Sequence, residues 1–291
     1  MADSIRYGAV FPQTEIGGDR GAVRAYVQAV EELGYKHLIA YDHVVGADRA
    51  VYPDWKGPYD LDSTFHEPLV LFGYVVAITS LEVLSGILIL PQRQTVLVAK
   101  QAAEIDLLSD GRIRLGVGLG WNEVEYEALG EDFSTRGARV SEQVELLRKL
   151  WSEPSVTFDG RYEHVTGAGI APLPVQRPIP IWFGAFDDRA VRRAGRIADG
   201  WLPGVAPGPK LEESLEILRT AAVEAGRDPA SIGLEGRISF RRDEQARVVA
   251  ERDGWRAEHA SHVGVNTMGA GLKTVDEHIA ALGEAIEILR G

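Results

Sequence analysis

Residues 82–118 read EVLSGILILPQRQTVLVAKQAAEIDLLSDGRIRLGVG, and they contain the unit from which the fold is predicted. In the predicted strand Glu82–Leu90, the run Ile87–Leu90 is apolar without alternation, as expected for a parallel strand covered on both faces. Val96–Leu108 repeats apolar residues at a helical period, and a Ser-Asp-Gly turn separates it from a second apolar run, Ile113–Gly118. A strand, a helix and a second strand of this kind indicate a β/α unit of a parallel sheet.

The same alternation runs along the whole chain. Strands are predicted at Ile5–Phe11, His37–Tyr41, Glu82–Leu90, Ile113–Gly118, Ile179–Ala185, Gly200–Pro203, Ile232–Phe240 and His262–Thr267. Helices are predicted at Gly21–Leu33, Glu67–Ile78, Val96–Leu108, Val140–Trp151, Arg189–Ile197, Lys210–Ala225, Asp243–Trp255 and Val275–Leu289. Eight such pairs predict an α/β fold of the (β/α)8 TIM barrel class in a single domain, 1–291; an open doubly wound sheet, the alternative, seldom needs eight units.

Two segments are longer than the minimal repeat requires, and they are predicted to be loop insertions. They cover about residues 42–66, rich in Gly, Pro, Tyr and Asp, and about residues 153–178, rich in proline. Long loops in a compact domain usually act as lids or binding walls. The first follows the C-terminal end of the second strand, on the barrel face where active sites form.

The amino-acid composition of the chain argues against two classes of binding partner. The 291 residues are 45% hydrophobic and 25% charged, and acidic residues outnumber basic ones by 43 to 31. A net charge of −12 repels phosphate backbones and anionic lipid headgroups, which argues against nucleic-acid binding and a membrane-surface role. The chain contains no cysteine, which excludes disulfides and thiolate metal sites and fits a cytoplasmic location.

One segment, Pro68–Pro91, is apolar over a length that could span a bilayer. Glu82 lies inside it, and a carboxylate within lipid is costly. We therefore predict a buried helix over residues 67–79 and a buried strand over residues 82–90. Residues 1–6 lack the charged and apolar regions of a signal peptide, so no membrane segment is predicted.

Asp42 and His43 directly follow the second predicted strand, at the catalytic mouth of a barrel. A histidine there could donate a hydrogen bond to a substrate oxygen or exchange its proton near neutral pH. The alternative is a loop histidine bonded only to backbone. Gly86, in the interior of the third strand, similarly marks either a bulge with close ligand approach or simple packing at a constriction.

Two glycine-containing stretches follow later strands. Gly116-Val-Gly-Leu-Gly-Trp121 partly mimics the GxGxxG dinucleotide fingerprint, but tryptophan stands at the third glycine position, so a Rossmann site is rejected. Its alternate glycines are expected to open space inside the barrel, and the tryptophan to offer a flat face at the mouth. Gly184-Ala185 leads into a helix whose free N–H groups could bind an anion, unless Asp187 or its neighbour caps them.

Several common catalytic arrangements are missing from the sequence. The six lysines avoid the C-terminal ends of the predicted strands, which argues against a Schiff-base aldolase. The seven histidines show no HxH or HExxH spacing, so no metal site is predicted, and there is no GxSxG motif. A bound organic cofactor is therefore the simplest source of difficult chemistry.

Taken in order, a series of motifs resembles those of the bacterial luciferase-like superfamily, and within it the class that uses the deazaflavin coenzyme F420. The resemblance extends over nearly the whole chain. The motifs are Gly86-Ile-Leu-Ile-Leu-Pro-Gln-Arg93, Ala99-Lys-Gln-Ala-Ala103, Leu107-Leu-Ser-Asp-Gly-Arg112, Gly116-Val-Gly-Leu-Gly-Trp121, Glu127-Ala-Leu-Gly130, Arg136-Gly-Ala-Arg139, Pro180-Ile-Trp-Phe-Gly184 and Ala198-Asp-Gly-Trp201. Each is weak alone, but together in this order they are strong.

The resemblance implies a barrel that holds the cofactor ring at its C-terminal mouth, against a bulge in the third strand with a non-proline cis peptide at Gly86–Ile87. It implies that Asp42 and His43 lie near the ring edge and the reacting carbon, and that Gly184 and Ala185 form a phosphate-binding turn. We therefore expect His43 to be the catalytic residue. The residues expected to bind the cofactor are Asp42, Ser85, Gly86, Ile87, Gly118, Gly120, Trp121, Gly184 and Ala185.

Three functions follow from the resemblance, the first being the favoured one: an oxidoreductase that moves hydride between F420 and a small organic substrate, in either direction. Relatives that oxidise a sugar phosphate place a glutamate acid after the fourth-strand glycines, where this chain has Trp121, which argues against that substrate. The second function is a reduced-FMN monooxygenase of the same fold. The third is a flavin- or deazaflavin-binding protein without turnover. Relatives are commonly homodimers, so a homodimer is also expected.

Overall fold

A computed structural model describes residues 5–291, in which strands and helices alternate along the chain. The strands are β1 (Arg6–Val10), β2 (His37–Ala40), β3 (Glu82–Ser85), β4 (Leu88–Ile89), β5 (Ile113–Gly118), β6 (Val156–Asp159), β7 (His164–Ala168), β8 (Ile181–Ala185), β9 (Gly200–Pro203), β10 (Gly233–Ser239) and β11 (His262–Asn266). The helices are α1 (Gln13–Ile16), α2 (Arg20–Glu32), α3 (Pro68–Ile78), α4 (Thr95–Ser109), α5 (Glu123–Ala128), α6 (Arg136–Ser152), α7 (Asp188–Ile197), α8 (Pro209–Glu224), α9 (Gln245–Ala257) and α10 (Val275–Arg290).

The main sheet is parallel and closed. Its strand order is β3-β2-β1-β11-β10-β9-β8-β5-β4, and β3 also pairs with β5, which joins the two ends. Because β3 and β4 are two halves of the predicted third strand, the nine strands occupy eight positions around a barrel. The predicted (β/α)8 TIM barrel is confirmed, and an open doubly wound sheet is excluded.

The third strand is interrupted at Gly86 and Ile87. The peptide bond between them is cis, as the sequence resemblance implied, and the predicted bulge is confirmed. The backbone N–H of Gly86 still donates to the carbonyl of Ala40 at 2.8 Å, so the interruption stays attached to β2. Beyond it, Ile89 pairs with Gly118 of β5 and continues the barrel wall.

Side chains that point into the barrel form layers, because alternate residues of each strand face inwards. The middle layer is apolar and includes Val10, Ile39, Leu84 and Trp182. Nearer the N-terminal ends of the strands lies a layer of ionisable side chains. This N-terminal charged layer consists of His37, Glu82, Arg114, Glu235 and His262.

The N-terminal charged layer is buried and its charges are paired. Glu235 accepts hydrogen bonds from Nε2 of His37 and from Nη1 of Arg114, both at 2.9 Å. Burial alone would raise the pKa of Glu235, but the charges of His37 and Arg114 outweigh it and lower the pKa to about 2. Burial lowers the pKa of His262 to about 3, and the charge of Arg114 acts in the same direction.

The eight predicted helices surround the barrel near their predicted positions, with one difference at α6, and the short helices α1 and α5 were not predicted. That helix begins at Arg136 rather than Val140, after a 3₁₀ turn at Phe133–Thr135 that Asp132 caps. Glu142, on this helix, accepts hydrogen bonds from the backbone N–H groups of residues 161–163. Since these groups are far away in sequence, periodicity alone gives no sign of this contact.

The apolar segment over residues 68–91 is folded as predicted, into the buried helix α3 and the strand β3. Glu82, its acidic residue, forms an ion pair with Arg114 inside the barrel. Among the helices of residues 5–291, none combines the length and apolar character that crossing a bilayer demands. Residues 1–4, part of the segment tested for a signal peptide, lie outside the described residues.

The two long insertions differ in structure. Residues 43–66 contain no strand or helix, as predicted for a loop. The segment 153–178 instead contains an antiparallel hairpin, β6 and β7, which the sequence interpretation missed. Most of β7 is exposed, so the hairpin shows little of the apolar alternation by which strands are recognised.

Candidate active site

The C-terminal mouth of the barrel contains a cavity of about 320 Å³. Its lining comes from residues after β2, from the interruption between β3 and β4 and from β4, from the segment after β5, from the end of β8 and the start of α7, and from α6 and β10. The residues are Tyr41, Asp42, His43, Tyr59, Gly86, Ile87, Ile89, Leu119, Gly120, Trp121, Arg136, Gly184, Ala185, Phe186, Asp187, Ala190 and Arg237. Eight of the ten predicted site residues are among them.

The remaining two predicted site residues, Ser85 and Gly118, lie next to the cavity without lining it. The Ser85 hydroxyl is buried and donates to the carbonyl of Gly116 at 2.7 Å, so it joins two strands. Gly118 lies against Ile87. The sequence predicted that the glycines of β5 open space inside the barrel. This prediction is wrong, because neighbouring atoms fill that space.

Ile87 is seated between two glycines. A Cβ atom at Gly118 would lie 2.6 Å from Cδ1 of Ile87, and one at Gly184 would lie 2.7 Å from its Cγ2. Such distances are far below van der Waals contact, so these glycines are needed to hold the isoleucine side chain. As a result, the interruption in the third strand presents a fixed apolar wall to the cavity.

His43 lies against three aromatic rings at the cavity edge. Its ring centroid is 5.2 Å from that of Tyr59, 4.8 Å from that of Phe65 and 5.4 Å from that of Trp121. Only 11% of its side chain is exposed. The predicted catalytic histidine and the predicted flat face of Trp121 are therefore brought together in one apolar setting.

A carboxylate that the sequence interpretation missed supports this histidine. Oε2 of Glu125, on α5, lies 3.4 Å from Nδ1 of His43, and the glutamate side chain is completely buried. Gln92 donates to the same oxygen at 3.1 Å, and the backbone N–H of Val45 donates to Oε1 at 3.2 Å. The backbone N–H of Val44 also donates to Oε1.

These contacts keep Glu125 ionised. Burial alone would raise its pKa, but hydrogen bonds from His43 and the Val44 N–H outweigh burial and lower the pKa below its ordinary range. A carboxylate beside Nδ1 fixes the proton on that nitrogen. Nε2 is then the histidine atom left to accept or donate a proton in the cavity.

Asp42 lines the cavity but its carboxylate is already engaged. Oδ2 accepts from the backbone N–H of Ile89 at 2.9 Å, and Oδ1 pairs with Arg93 at 2.7 Å. Burial raises the pKa of Asp42, although Arg93 and the Ile89 N–H oppose this effect. Its observed contacts therefore fix β4 beyond the interruption, while its predicted contact with a cofactor stays a prediction.

The turn at Gly184 and Ala185 also lines the cavity, ahead of α7. Asp187 caps this helix, because its carboxylate accepts from the backbone N–H groups of Arg189 and Ala190 at 2.9 and 3.0 Å. The amide donors expected to bind an anion are thus already paired. The phosphate-binding role predicted for the turn stays a prediction; Arg136 is one of the two arginines that line the same cavity.

Arg237 is the second functional candidate that the sequence interpretation missed. It lies on β10 two residues after Glu235, so both side chains face the barrel interior, and it lines the cavity while remaining exposed. Within residues 5–291 it forms no ion pair and no side-chain hydrogen bond. The alternation Glu-Gly-Arg in the predicted strand was the available signal, because it places a second charge on the inward face.

The cavity therefore combines an apolar wall, a histidine with a buried carboxylate behind it, and cationic groups on its border. A model of the luciferase-like monooxygenase family matches residues 8–285 of the chain. The F420-dependent glucose-6-phosphate dehydrogenase of Nakamurella multipartita is 32% identical over 247 residues, which cover 80% of this chain and 71% of that enzyme.

Solved structures of similar fold cover nearly the whole chain. An F420-dependent secondary alcohol dehydrogenase, in complex with an F420–acetone adduct, matches with a TM-score of 0.78 and 17% identity over 99% of this chain and 100% of its own. The monooxygenase RslO1 from Streptomyces bottropensis matches with a TM-score of 0.74 and 18% identity over 99% and 100%. At these identities the likeness concerns the fold.

Proposed function

The chain belongs to the luciferase-like monooxygenase family, and from this premise we propose that it binds coenzyme F420 and transfers hydride between it and a small organic substrate. The single observation that carries the proposal is His43, held by Glu125 at 3.4 Å on the border of the cavity. Sequence similarity to an F420-dependent dehydrogenase supports the choice of cofactor.

The residues around the cavity fit a flat, mainly apolar ring. Its volume of about 320 Å³ is within the roughly 300–1,000 Å³ typical of small-molecule sites. Ile87, fixed between Gly118 and Gly184, supplies an apolar wall, and Trp121 supplies an aromatic one. The cavity thus offers an apolar and an aromatic surface for the faces of a ring, with polar side chains elsewhere on its border.

Bound F420 would supply a carbon centre that accepts or donates two electrons as hydride. The chain's own part is to hold the substrate, exclude water and move one proton. His43 Nε2 accepts the hydroxyl proton when an alcohol is oxidised, and donates it to the carbonyl oxygen when the reaction runs in reverse. Glu125 keeps Nδ1 protonated and stabilises the imidazolium, while Tyr59, Phe65 and Trp121 shield the ring from water.

A reduced-FMN monooxygenase is the second candidate function. The observation in its favour is the similarity in fold to the monooxygenase RslO1 over nearly the whole chain. The same cavity would hold a flavin ring, so the cofactor must be determined by binding. A protein that binds either cofactor without turnover is a weaker alternative, because a histidine beside a buried carboxylate on the cavity is an arrangement suited to proton transfer.

The test is a titration of the apoprotein with F420 and with FMN, followed by fluorescence, and then a substrate screen under anaerobic conditions. We expect tight F420 binding and weak FMN binding. In His43→Ala, turnover should fall about 10²- to 10⁴-fold while F420 affinity stays unchanged. His164→Ala, which removes an exposed histidine of the hairpin, is the matched control.

Two outcomes would count against the proposal. A preference for FMN would move the chain to the monooxygenase alternative. Unchanged turnover in His43→Ala would remove this histidine from the reaction.

We further propose that the chain forms a homodimer through the outer faces of α3 and α4. Val70 of α3 is 71% exposed and Leu97 of α4 is 52% exposed, and the two helices pack side by side. Exposed apolar residues on neighbouring helices often mark an interface between subunits. Sedimentation equilibrium would test this proposal.

A further inference from the structure

Arg237 is a charged side chain in an unusual position, since it lies within a barrel strand and yet has no partner among residues 5–291. Inward-facing charges elsewhere in the barrel are paired. Glu235, two residues earlier on the same strand, contacts both His37 and Arg114. A guanidinium left without a carboxylate at the border of a cavity is suited to bind an anion from outside the protein.

The acidic residues at the cavity do not neutralise Arg237. Asp42 is paired with Arg93 and with the Ile89 N–H, and Asp187 is bound to the first backbone N–H groups of α7. Both carboxylates that line the cavity are therefore engaged elsewhere. The positive charge of Arg237 stays available, although the chain as a whole carries a net charge of −12.

Two tyrosine hydroxyls add neutral donors on the same cavity. Oη of Tyr41 is buried and has no hydrogen-bond partner within residues 5–291, and Tyr59 also lines the cavity. Burial raises the pKa of Tyr59, although the charge of Arg237 opposes this shift. A phenol hydroxyl is a hydrogen-bond donor, so both tyrosines can donate to an anion that Arg237 attracts.

The position of Arg237, Tyr41 and Tyr59 relative to His43 indicates what kind of ligand they would bind. The ring of Tyr59 lies 5.2 Å from the ring of His43, so one of the two proposed hydroxyl donors belongs to a side chain that packs beside the proton-transfer group. Arg237 lines the same cavity. The guanidinium fork matches the two oxygens of a carboxylate. A cavity of about 320 Å³ leaves room beside a cofactor ring for only a small molecule.

We propose that Arg237, with Tyr41 and Tyr59, binds the carboxylate of the substrate, so that the protein acts on small organic acids. This inference rests on the proposed function in one respect, that the cavity is the active site. It makes Arg237 a specificity-determining residue. The acid is held by its charge, and the carbon that gains or loses hydride lies towards His43.

The experiment compares benzoate and benzamide, an unreactive pair of equal shape that differs in charge, as ligands of the F420-loaded protein. Dissociation constants are measured by calorimetry for the native chain, Arg237→Gln and Arg237→Lys. We expect benzoate to bind about tenfold or more tightly than benzamide in the native protein. Arg237→Gln should abolish this preference with the benzamide constant unchanged, and Arg237→Lys should retain part of it.

The inference would be overturned if the native protein bound the two probes equally or bound neither, or if the preference for benzoate survived in Arg237→Gln. It would also be overturned if inorganic phosphate displaced benzamide as effectively as benzoate displaces it. A loss of F420 affinity in Arg237→Gln would also overturn it, since Arg237 would then contact the cofactor. If the native chain binds FMN instead of F420, the proposed function fails, and the same probe pair on the FMN-loaded protein decides this inference separately.

Discussion

The two ends of the barrel interior use the same kinds of side chain for opposite purposes. At the N-terminal end, Arg114 and His37 surround Glu235, and every one of these charges has a partner inside the protein. At the C-terminal mouth, Arg237 has no partner within residues 5–291, and His43 keeps one ring nitrogen available beside the cavity. Glu235 and Arg237 are only two residues apart on β10.

This difference shows that the exposure of a charged side chain decides whether it contributes to stability or stays available for a ligand. A buried charge is stable only when it is paired, and removing its partner leaves a large desolvation cost. An unpaired charge at an open cavity keeps its hydration and costs little until a ligand replaces the water. The N-terminal end can therefore hold the barrel closed, while the mouth keeps its charges for ligands.

The first prediction breaks the pairing at the N-terminal end, where the largest effect is expected. Arg114→Met removes the cation between Glu82 and Glu235 and leaves two carboxylates in a buried site. The free energy of unfolding should fall by about 3–5 kcal/mol, measured by urea denaturation. Arg196→Met, which removes an exposed partner of Glu224, is the control and should change it far less; equal losses would contradict the contrast.

The second prediction concerns the carboxylate behind His43. Glu125→Gln keeps the shape of the side chain but loses the charge that orients the imidazole, so turnover should fall on the order of 10²-fold with F420 affinity unchanged. Steady-state kinetics and cofactor titration measure the two quantities. Glu127→Gln, exposed on the same helix, should behave as the native protein; an equally active Glu125→Gln would limit the carboxylate to a structural role.

The third prediction concerns how the free energy of unfolding depends on pH at the N-terminal end of the barrel. His262 has a pKa of about 3 in the folded protein, against 6.5 for an ordinary histidine in the unfolded chain. Between pH 3 and pH 6.5, the unfolded chain therefore binds a proton that the folded chain does not. Stability should therefore fall with decreasing pH below about 6.5, by at most about 1.4 kcal/mol per pH unit from this residue. Urea denaturation from pH 7 to pH 5 should give a shallower slope for His262→Gln.

Exposed His164, on the hairpin, supplies the control variant for the pH experiment. His164→Gln should keep the native slope, because this side chain is exposed on the hairpin and lies outside the barrel interior. Identical slopes for the native chain and His262→Gln would show that His262 is not held neutral inside the barrel.

The smallest effect is predicted at the mouth. Arg237→Gln removes a charge from the same strand that carries Glu235, but this charge has no partner within the described chain. The free energy of unfolding should change by no more than about 0.5 kcal/mol in the same urea assay. A loss close to that of Arg114→Met would mean that Arg237 stabilises the barrel, and the contrast between the two ends would fail.

The sequence predicts the barrel well, because each strand and helix carries its own periodicity. The interruption at Gly86–Ile87 also follows from the sequence, through a glycine within a strand and through the family resemblance. The hairpin β6–β7 does not, since it is largely exposed and depends on Glu142, whose carboxylate binds the backbone of residues 161–163. Such a contact over about twenty residues leaves no local pattern.

The candidate site could be predicted only in part, because some of its residues depend on contacts that leave no local pattern in the sequence. His43 and Gly184 lie at strand ends, where position in a barrel already indicates function. Glu125 is recognised only once α5 packs beneath the loop after β2, because its partners come from distant segments. Arg237 carries a weak signal in its alternation with Glu235, but its lack of a partner is a property of the folded chain.

The spacing on β10 has a consequence for how this protein could diversify. Because one inward position, Glu235, keeps the barrel closed and the next, Arg237, faces the cavity, mutations at the second are largely free of a folding penalty. New substrates could be sampled in evolution or in a mutant library by varying Arg237 alone. The strand thus combines a position that selection must preserve with a neighbour that it can change.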